Sequence, residues 1–272
     1  AGPCRFDCSG ARAVTCCAHY AALMTSSPDP LLHNRDGSRV SRVLAVMAHP
    51  DDVDFGAAGT VKAWTDAGIE VSYCLVTNGD AGGFDPDVPR SEIPRIRQEE
   101  QRAAGAALGV TDIRFLGYRD GELAVSHELR RDISRVIRQV RPDRMLIQSP
   151  ERNWGRIQAS HPDHLAAGDA AIQAVYPDAR NPFAHVSLLN DEGLEAWTVP
   201  EVWVMAAPHP DFYVDITDNL EAKLAALRAH ESQTGHMDDL DERIRGWMGM
   251  WAAQGGLPEG RLAEAFMVVG TA

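Results

Sequence analysis

Val43-Leu44-Ala45-Val46-Met47-Ala48-His49-Pro50-Asp51-Asp52 is the stretch that decides the fold. Val43 to Met47 is an unbroken apolar run, the pattern of a strand buried on both faces of a parallel sheet. Pro50 fixes its own φ and biases His49 away from helix, so the chain leaves the sheet here. One imidazole and two adjacent carboxylates therefore stand just past the carboxyl end of a buried strand. In open α/β sheets that rim is where ligands bind. Small residues and a helix former follow, from Gly56 to Trp64.

The polar cluster admits two readings. Asp51 or Asp52 can cap a helix start by accepting backbone N–H groups. Alternatively, His49 and Asp52 offer an imidazole and a carboxylate, both acceptable zinc ligands. Ser160-His161-Pro162-Asp163-His164 favours the second reading. Pro162 suits the first turn of a helix, with Ser160 as its N-cap. His161 and His164 are then three residues apart and point to one side. Two such histidines and a distant His-x-x-Asp supply a three-ligand site with one open position.

Strands alternate with helices through the first half of the chain. Glu70–Thr77 reads as the second strand and Ile113–Leu116 as a short third. Helices are expected over about Glu92–Leu108 and Glu128–Val140, and a strand over Arg144–Gln148. This order predicts an α/β fold: a Rossmann-like, doubly wound, mostly parallel sheet with helices on both faces. The active site is expected at the carboxyl ends of its strands, where segments about 110 residues apart can meet. Residues 41–272 are expected to form a single domain and residues 1–40 an N-terminal extension. Residues 176–200 read as a loop excursion before a strand over Glu201–Ala206. A helix then opens at Asp218 or Asn219 and runs to about His230. The segment 237–256 is rich in tryptophan and methionine. Trp247 and Trp251 share one helical face, expected to pack on the core, with a substrate-facing lid as the alternative. Both 176–200 and 237–256 are expected to border the substrate entrance, because loops on a rigid scaffold commonly carry specificity.

Composition bounds the function. The 272 residues carry a net charge of −13, which disfavours non-specific binding to nucleic acid or anionic membranes. A hydrophobic content of 44% suffices for a sizeable core. No apolar run approaches membrane-spanning length and no signal peptide is evident, so a cytoplasmic protein without stable membrane insertion is expected. Cys4, Cys8, Cys16 and Cys17 cluster near the start, but their spacing matches no standard zinc finger. Five cysteines do not make a tidy secreted framework. The glycine-rich turn after Asn78 lacks the spacing of a phosphate-binding loop.

The motifs together resemble those of the LmbE-like (PIG-L) zinc-dependent N-acetylglucosamine deacetylases. The matching pieces are Ala48-His49-Pro50-Asp51-Asp52, Thr77-Asn78-Gly79-Asp80, Arg97-Gln98-Glu99-Glu100, Gly117-Tyr118-Arg119-Asp120-Gly121, His161-Pro162-Asp163-His164 and Ala229-His230-Glu231-Ser232-Gln233. The resemblance implies Zn2+ held by His49, Asp52 and His164. It implies Asp51 as the base that activates water, and His161 as the group that stabilises the oxyanion or protonates the leaving amine. Arg97 and Asp120 would hold sugar hydroxyls or nearby groups. Asp54 and Asp163 would orient imidazoles or serve as capping carboxylates. Some family members carry a tyrosine where this chain has Ala159, so oxyanion stabilisation would rest on zinc and His161, or on a group from elsewhere such as Trp154 or the 176–200 excursion. The implied substrate is a small-molecule glycoconjugate carrying N-acetylglucosamine. The overall pattern is similar to deacetylases of teicoplanin-type glycopeptide antibiotic pathways, which act on an N-acetylglucosaminyl pseudoaglycone. The alternatives are a small N-acetylglucosaminyl-inositol conjugate, or a non-catalytic Rossmann-like sugar- or nucleotide-binding protein.

Overall fold

A computed structural model describes residues 29–272; the cysteine cluster at 4–17 lies outside the described residues. The sheet has seven strands in the order β3-β2-β1-β4-β5-β7-β6. They are β1 (Arg42–Met47), β2 (Glu70–Thr77), β3 (Asp112–Tyr118), β4 (Arg144–Gln148), β5 (Glu201–Met205), β6 (Phe212–Asp215) and β7 (Ala263–Gly270). Strands β1 to β5 pair in parallel, while β7 runs antiparallel to both β5 and β6. From β1 the chain winds outward through β2 to β3, then crosses back to place β4 on the other side of β1. The crevice between the carboxyl ends of β1 and β4 is therefore the switch point at which such sheets bind ligands.

Strand β1 alternates between the two cores with the period of two that a pleated strand imposes. Val43, Ala45 and Met47 face one hydrophobic cluster, while Leu44, Val46 and Ala48 face the other. The first cluster is closed by α1 (Asp52–Asp66), α2 (Ile93–Leu108), α6 (Leu220–Arg228) and α8 (Leu240–Gln254). The second is closed by α3 (His127–Val140) and α4 (Pro162–Gln173). Two short helices, α5 (Val186–Asn190) and α7 (Glu231–Thr234), complete the α-helices among the described residues. None of the helices is long and apolar enough to cross a membrane.

The end of β1 is pinned by its neighbours. The Ala48 N–H donates to Gln148 Oε1 at the end of β4, and its carbonyl accepts from the Thr77 N–H and hydroxyl at the end of β2. Three strand ends thus fix where His49 leaves the sheet. Helix α4 is brought equally close to β4. A Cβ on Gly168 would overlap the Gln148 carbonyl oxygen and press on the Pro150 nitrogen, both of them backbone.

Two expectations change. The 176–200 excursion does not reach the strand ends that carry the histidines. It is tied to α3, where Arg138 donates to the carbonyls of Asp178, Ala179, Asn181 and Ala184, and Arg130 pairs with Asp178. A buried arginine absorbs the carbonyls of an irregular segment and makes it part of the scaffold. The first turn of α4 also differs. His161, not Ser160, is its N-cap; the Ser160 hydroxyl accepts from the Asn153 N–H and folds the preceding loop.

Gly168→Ala is expected to destabilise the protein by about 1–3 kcal/mol, as overpacking against backbone does. Gly246→Ala, in α8 with open space at its Cβ, is expected to be neutral or stabilising by up to about 1 kcal/mol. Urea unfolding of the two variants side by side checks this.

Candidate active site

His49 is held on both edges of its ring. Its Nε2 lies 3.1 Å from Asp120 Oδ1 and 3.2 Å from Asp163 Oδ2. Carboxylates only accept, so the neutral ring carries its proton on Nε2 and turns the Nδ1 lone pair the other way. There Nδ1 is 3.2 Å from His164 Nε2 and 3.4 Å from Asp52 Oδ2, and His164 Nε2 is 3.0 Å from Asp52 Oδ1. Three groups with lone pairs thus converge on one point from the ends of β1 and β4. Burial works against a charged His49. The negative charge of Asp52 and the hydrogen bonds to Asp120, Asp163 and Asp52 outweigh it and hold the pKa up at about 12. The same competition raises His164, with Asp52 overcoming burial. The carboxylates make this point strongly favourable to a cation.

Two other groups of donor atoms also come together: His49, His161 and His164, and His49, Asp120 and Asp163. The hydrogen bonds choose among them. Asp120 and Asp163 occupy the Nε2 edge of His49, opposite the convergence point. His161 Nδ1 accepts from the Asp163 N–H at 3.2 Å, which leaves its Nε2 as the protonated edge of the neutral ring. Burial and the neighbouring imidazoles lower the His161 pKa, which favours that neutral form. The set with free lone pairs facing one another is His49 Nδ1, His164 Nε2 and the Asp52 carboxylate, and it suits a metal ion.

Asp51 stands beside this set in a constrained backbone position, with φ 86° and ψ −25°. A non-glycine residue there is strained, and such strain persists where surrounding contacts over-determine it. Those contacts are visible. The Asp51 N–H donates to Gln101 Oε1, and its carboxylate accepts from Arg97 at 2.9 Å. Although it is the N-cap of α1, its side chain makes no capping bond. Burial raises its pKa to about 6; Arg97 opposes this and Asp52 adds to it.

The other expected residues are placed as follows. Arg97 is buried, and besides Asp51 it donates to the carbonyls of Pro50 and Gly79. Asp120 divides between His49 and the Ala81 N–H. Both, expected to hold sugar hydroxyls or nearby groups, have these protein partners around the His49–Asp52 loop. Asp163 is fully buried and also accepts from the Gly121 N–H. Asp54, also fully buried, binds His230 Nε2 and Gln101 Nε2, both at 2.8 Å. Trp154 is 82% exposed, near Arg152 but outside the wall of the adjoining cavity. The roles of Gln101 and Gln148 had no signal in the sequence, since each acts on backbone groups distant in the chain.

A cavity of about 290 Å³ opens beside Asp52 and His164. Trp247, Met248 and Trp251 of α8 form one wall, and Met205 and Ala206 at the end of β5 another. Trp247 and Trp251 pack against the core, as the shared helical face predicts. Leu240, Ile244 and Met248 pack in the core, and the two tryptophans line the cavity.

The model for the PIG-L family, GlcNAc-PI de-N-acetylase, matches residues 44–175, which include both halves of the convergence point. A diacetylchitobiose deacetylase of Thermococcus kodakarensis is 38% identical over 200 residues, covering 74% of this chain and 73% of that protein. This chain belongs to the PIG-L family. A probable N-acetyl-alpha-D-glucosaminyl L-malate deacetylase 2 of Bacillus cereus is 33% identical, covering 75% of this chain and 89% of the relative. The solved N,N'-diacetylchitobiose deacetylase of Pyrococcus horikoshii superposes with a TM-score of 0.77 at 32% identity, covering 85% of this chain and 84% of the other. The family thus accounts for the mostly parallel α/β sheet. Solved deacetylases of the teicoplanin pathway, at 16–18% identity, share the fold alone.

Asp163→Asn is expected to weaken divalent-ion binding at the His49 site by about 10–100-fold, the usual cost of losing a carboxylate behind a histidine ligand. Titration with Zn2+ or Co2+ against a competing chelator measures it.

Proposed function

We propose that this protein is a zinc-dependent hydrolase that removes the N-acetyl group from an N-acetylglucosaminyl residue of a small glycoconjugate. The observation that carries the reading is the convergence of His49 Nδ1, His164 Nε2 and Asp52 within 3.0–3.4 Å of one another, with Asp51 alongside. Ligand atoms about 2.0–2.1 Å from a tetrahedral zinc ion stand roughly 3.3 Å apart, so the spacing suits zinc. Two imidazoles and one carboxylate leave the fourth position open, as catalytic sites require. When bound, zinc there supplies a water of pKa about 7 and a Lewis acid for the acetyl carbonyl.

The protein's own groups do the rest. Asp51, held by Arg97, accepts the proton of the attacking water. His161 presents Nε2–H to the developing oxyanion or to the leaving nitrogen. The water oxygen bonds to the acetyl carbon, the C–N bond breaks, and the proton taken up passes to the amine. Acetate and a free glucosaminyl amine result. Arg97, Asp120 and Asp163 act as positioning residues. The domain that does this comprises residues 41–272. Residues ahead of it are moored on Arg144, which donates to the carbonyls of Pro30, Leu31 and His33.

A small substrate is favoured by the cavity, whose volume lies at the lower end of the roughly 300–1,000 Å³ of small-molecule sites. The relatives named for diacetylchitobiose and N-acetylglucosaminyl malate support the same choice. A glycopeptide pseudoaglycone is the second reading; its support is the fold shared with the teicoplanin deacetylases, not the size of the cavity.

Asp51→Asn is expected to retain zinc and to lose at least ~100-fold in kcat, because proton transfer is typically worth 10²–10⁴-fold. His164→Ala is expected to lose most of the metal. Elemental analysis and acetate release measured together separate the two. Near-normal turnover by Asp51→Asn would make His161 the leading base.

A further inference from the structure

Helix α2 grips Asp51 twice from one face. Arg97 and Gln101 lie one turn apart on it and so project to the same side. Arg97 donates to the Asp51 carboxylate and to the Pro50 carbonyl. Gln101 Oε1 accepts from the Asp51 N–H at 2.8 Å. The Asp51 carbonyl is taken by the N–H groups of Asp54 and Phe55 in the first turn of α1. Every polar group of the Asp51 backbone is thus engaged. A φ of 86° is strained for a residue with a Cβ and persists only under such contacts.

The Gln101 amide is not free to turn. Its Nε2 donates to Asp54 Oδ2 at 2.8 Å. A carboxylate only accepts, so the amide NH2 must face Asp54 and Oε1 must face Asp51. Asp54 is held in turn, because the same Oδ2 lies 2.8 Å from His230 Nε2. The imidazole therefore carries a proton on Nε2. The segment bearing His230 is fastened to α2 by Ser232, whose N–H and hydroxyl donate to Glu100, the neighbour of Gln101. An unbroken series of hydrogen bonds thus runs from His230 through Asp54 and Gln101 to the Asp51 backbone. Gln101, Asp54 and His230 are each 0% exposed, and none lines the cavity beside Asp52. They reach the substrate only through Asp51.

We propose that Gln101 is a positioning residue for the base, and that Asp54 and His230 act through it. Together they hold the Asp51 backbone in the left-handed conformation from which its carboxylate meets Arg97 beside the metal ligands. Without Gln101 the Asp51 N–H loses its acceptor, the strain is no longer opposed, and the carboxylate shifts relative to the attacking water. Misplacement of a reacting group by about 1 Å costs on the order of 100-fold in rate. The inference rests on the deacetylase reading and gives a role in it to three buried side chains. A packing role alone makes a different prediction: its cost is the same whether or not residue 51 is a base.

Zinc content, kcat and KM for acetate release are measured with diacetylchitobiose and N-acetylglucosaminyl malate. The proteins are the unaltered chain, Gln101→Leu, Asp51→Asn and the double variant. Gln101→Leu is expected to retain zinc, to keep KM within about threefold and to lose about 10–100-fold in kcat. In the Asp51→Asn background the same substitution should cost less than about threefold, because the group it positions is no longer a base. His230→Leu should lower kcat in the same way. His230→Gln, whose amide can donate to Asp54, should recover part of that loss. If Gln101→Leu does not fold, the two His230 variants carry the same comparison in both backgrounds. Equal losses in the two backgrounds overturn the proposal, as does loss of zinc or an unchanged kcat in Gln101→Leu. If the unaltered zinc-loaded protein releases acetate from neither compound, the deacetylase reading falls and the inference with it; activity without the coupling removes the inference alone.

Discussion

The site depends on the two-sided grip on His49. Asp120 and Asp163 take the proton-bearing edge of its ring, which fixes the tautomer and turns Nδ1 toward Asp52 and His164. The residues come from the carboxyl ends of three parallel strands: β1 carries His49 and Asp52, β3 carries Asp120, and β4 leads to Asp163 and His164. Only a sheet whose order reverses between β1 and β4 brings these ends round one crevice. Ala48, pinned by Thr77 and Gln148, sets where the crevice begins.

The shared motifs outside the convergence point mostly support it. Arg97 holds Asp51 and two carbonyls of its surroundings. Ser232 donates its N–H and hydroxyl to Glu100, so the segment after α6 is fastened to α2. His230 meets Asp54 in the first turn of α1, and Gln101 joins that carboxylate to the Asp51 backbone. Asp51 and Asp52 are adjacent in sequence yet differ in environment. Asp52 lies between two imidazoles, which against the cost of burial drive its pKa well down. Burial beside that negative charge lifts Asp51 to about 6. Two carboxylates with separated proton affinities are what a ligand and a base require.

Much of this was legible in the sequence, for local reasons. The apolar run into His49-Pro50 gives β1, and Pro162 with the histidine spacing gives the start of α4. The antiparallel edge was not legible. Strand β6 is four residues long, and β7 carries Glu264 within an apolar run, a pattern that reads against a buried strand. Glu264 is tolerated because Lys223 and two backbone N–H groups of α1 satisfy it. Gln101 and Gln148 illustrate a second limit. A polar residue that bonds buried backbone looks the same in sequence as one that meets a ligand.

The central claim is that a cation belongs among His49 Nδ1, His164 Nε2 and Asp52. A crystal structure of the zinc-loaded protein, with anomalous scattering recorded at the zinc edge, tests this most directly. The account predicts one strong peak bonded to those three groups, about 2.0–2.2 Å from each. It also predicts that His49 Nε2 stays on Asp120 and Asp163. A peak ligated by His161, or by Asp120 and Asp163 on the opposite edge of His49, would contradict it.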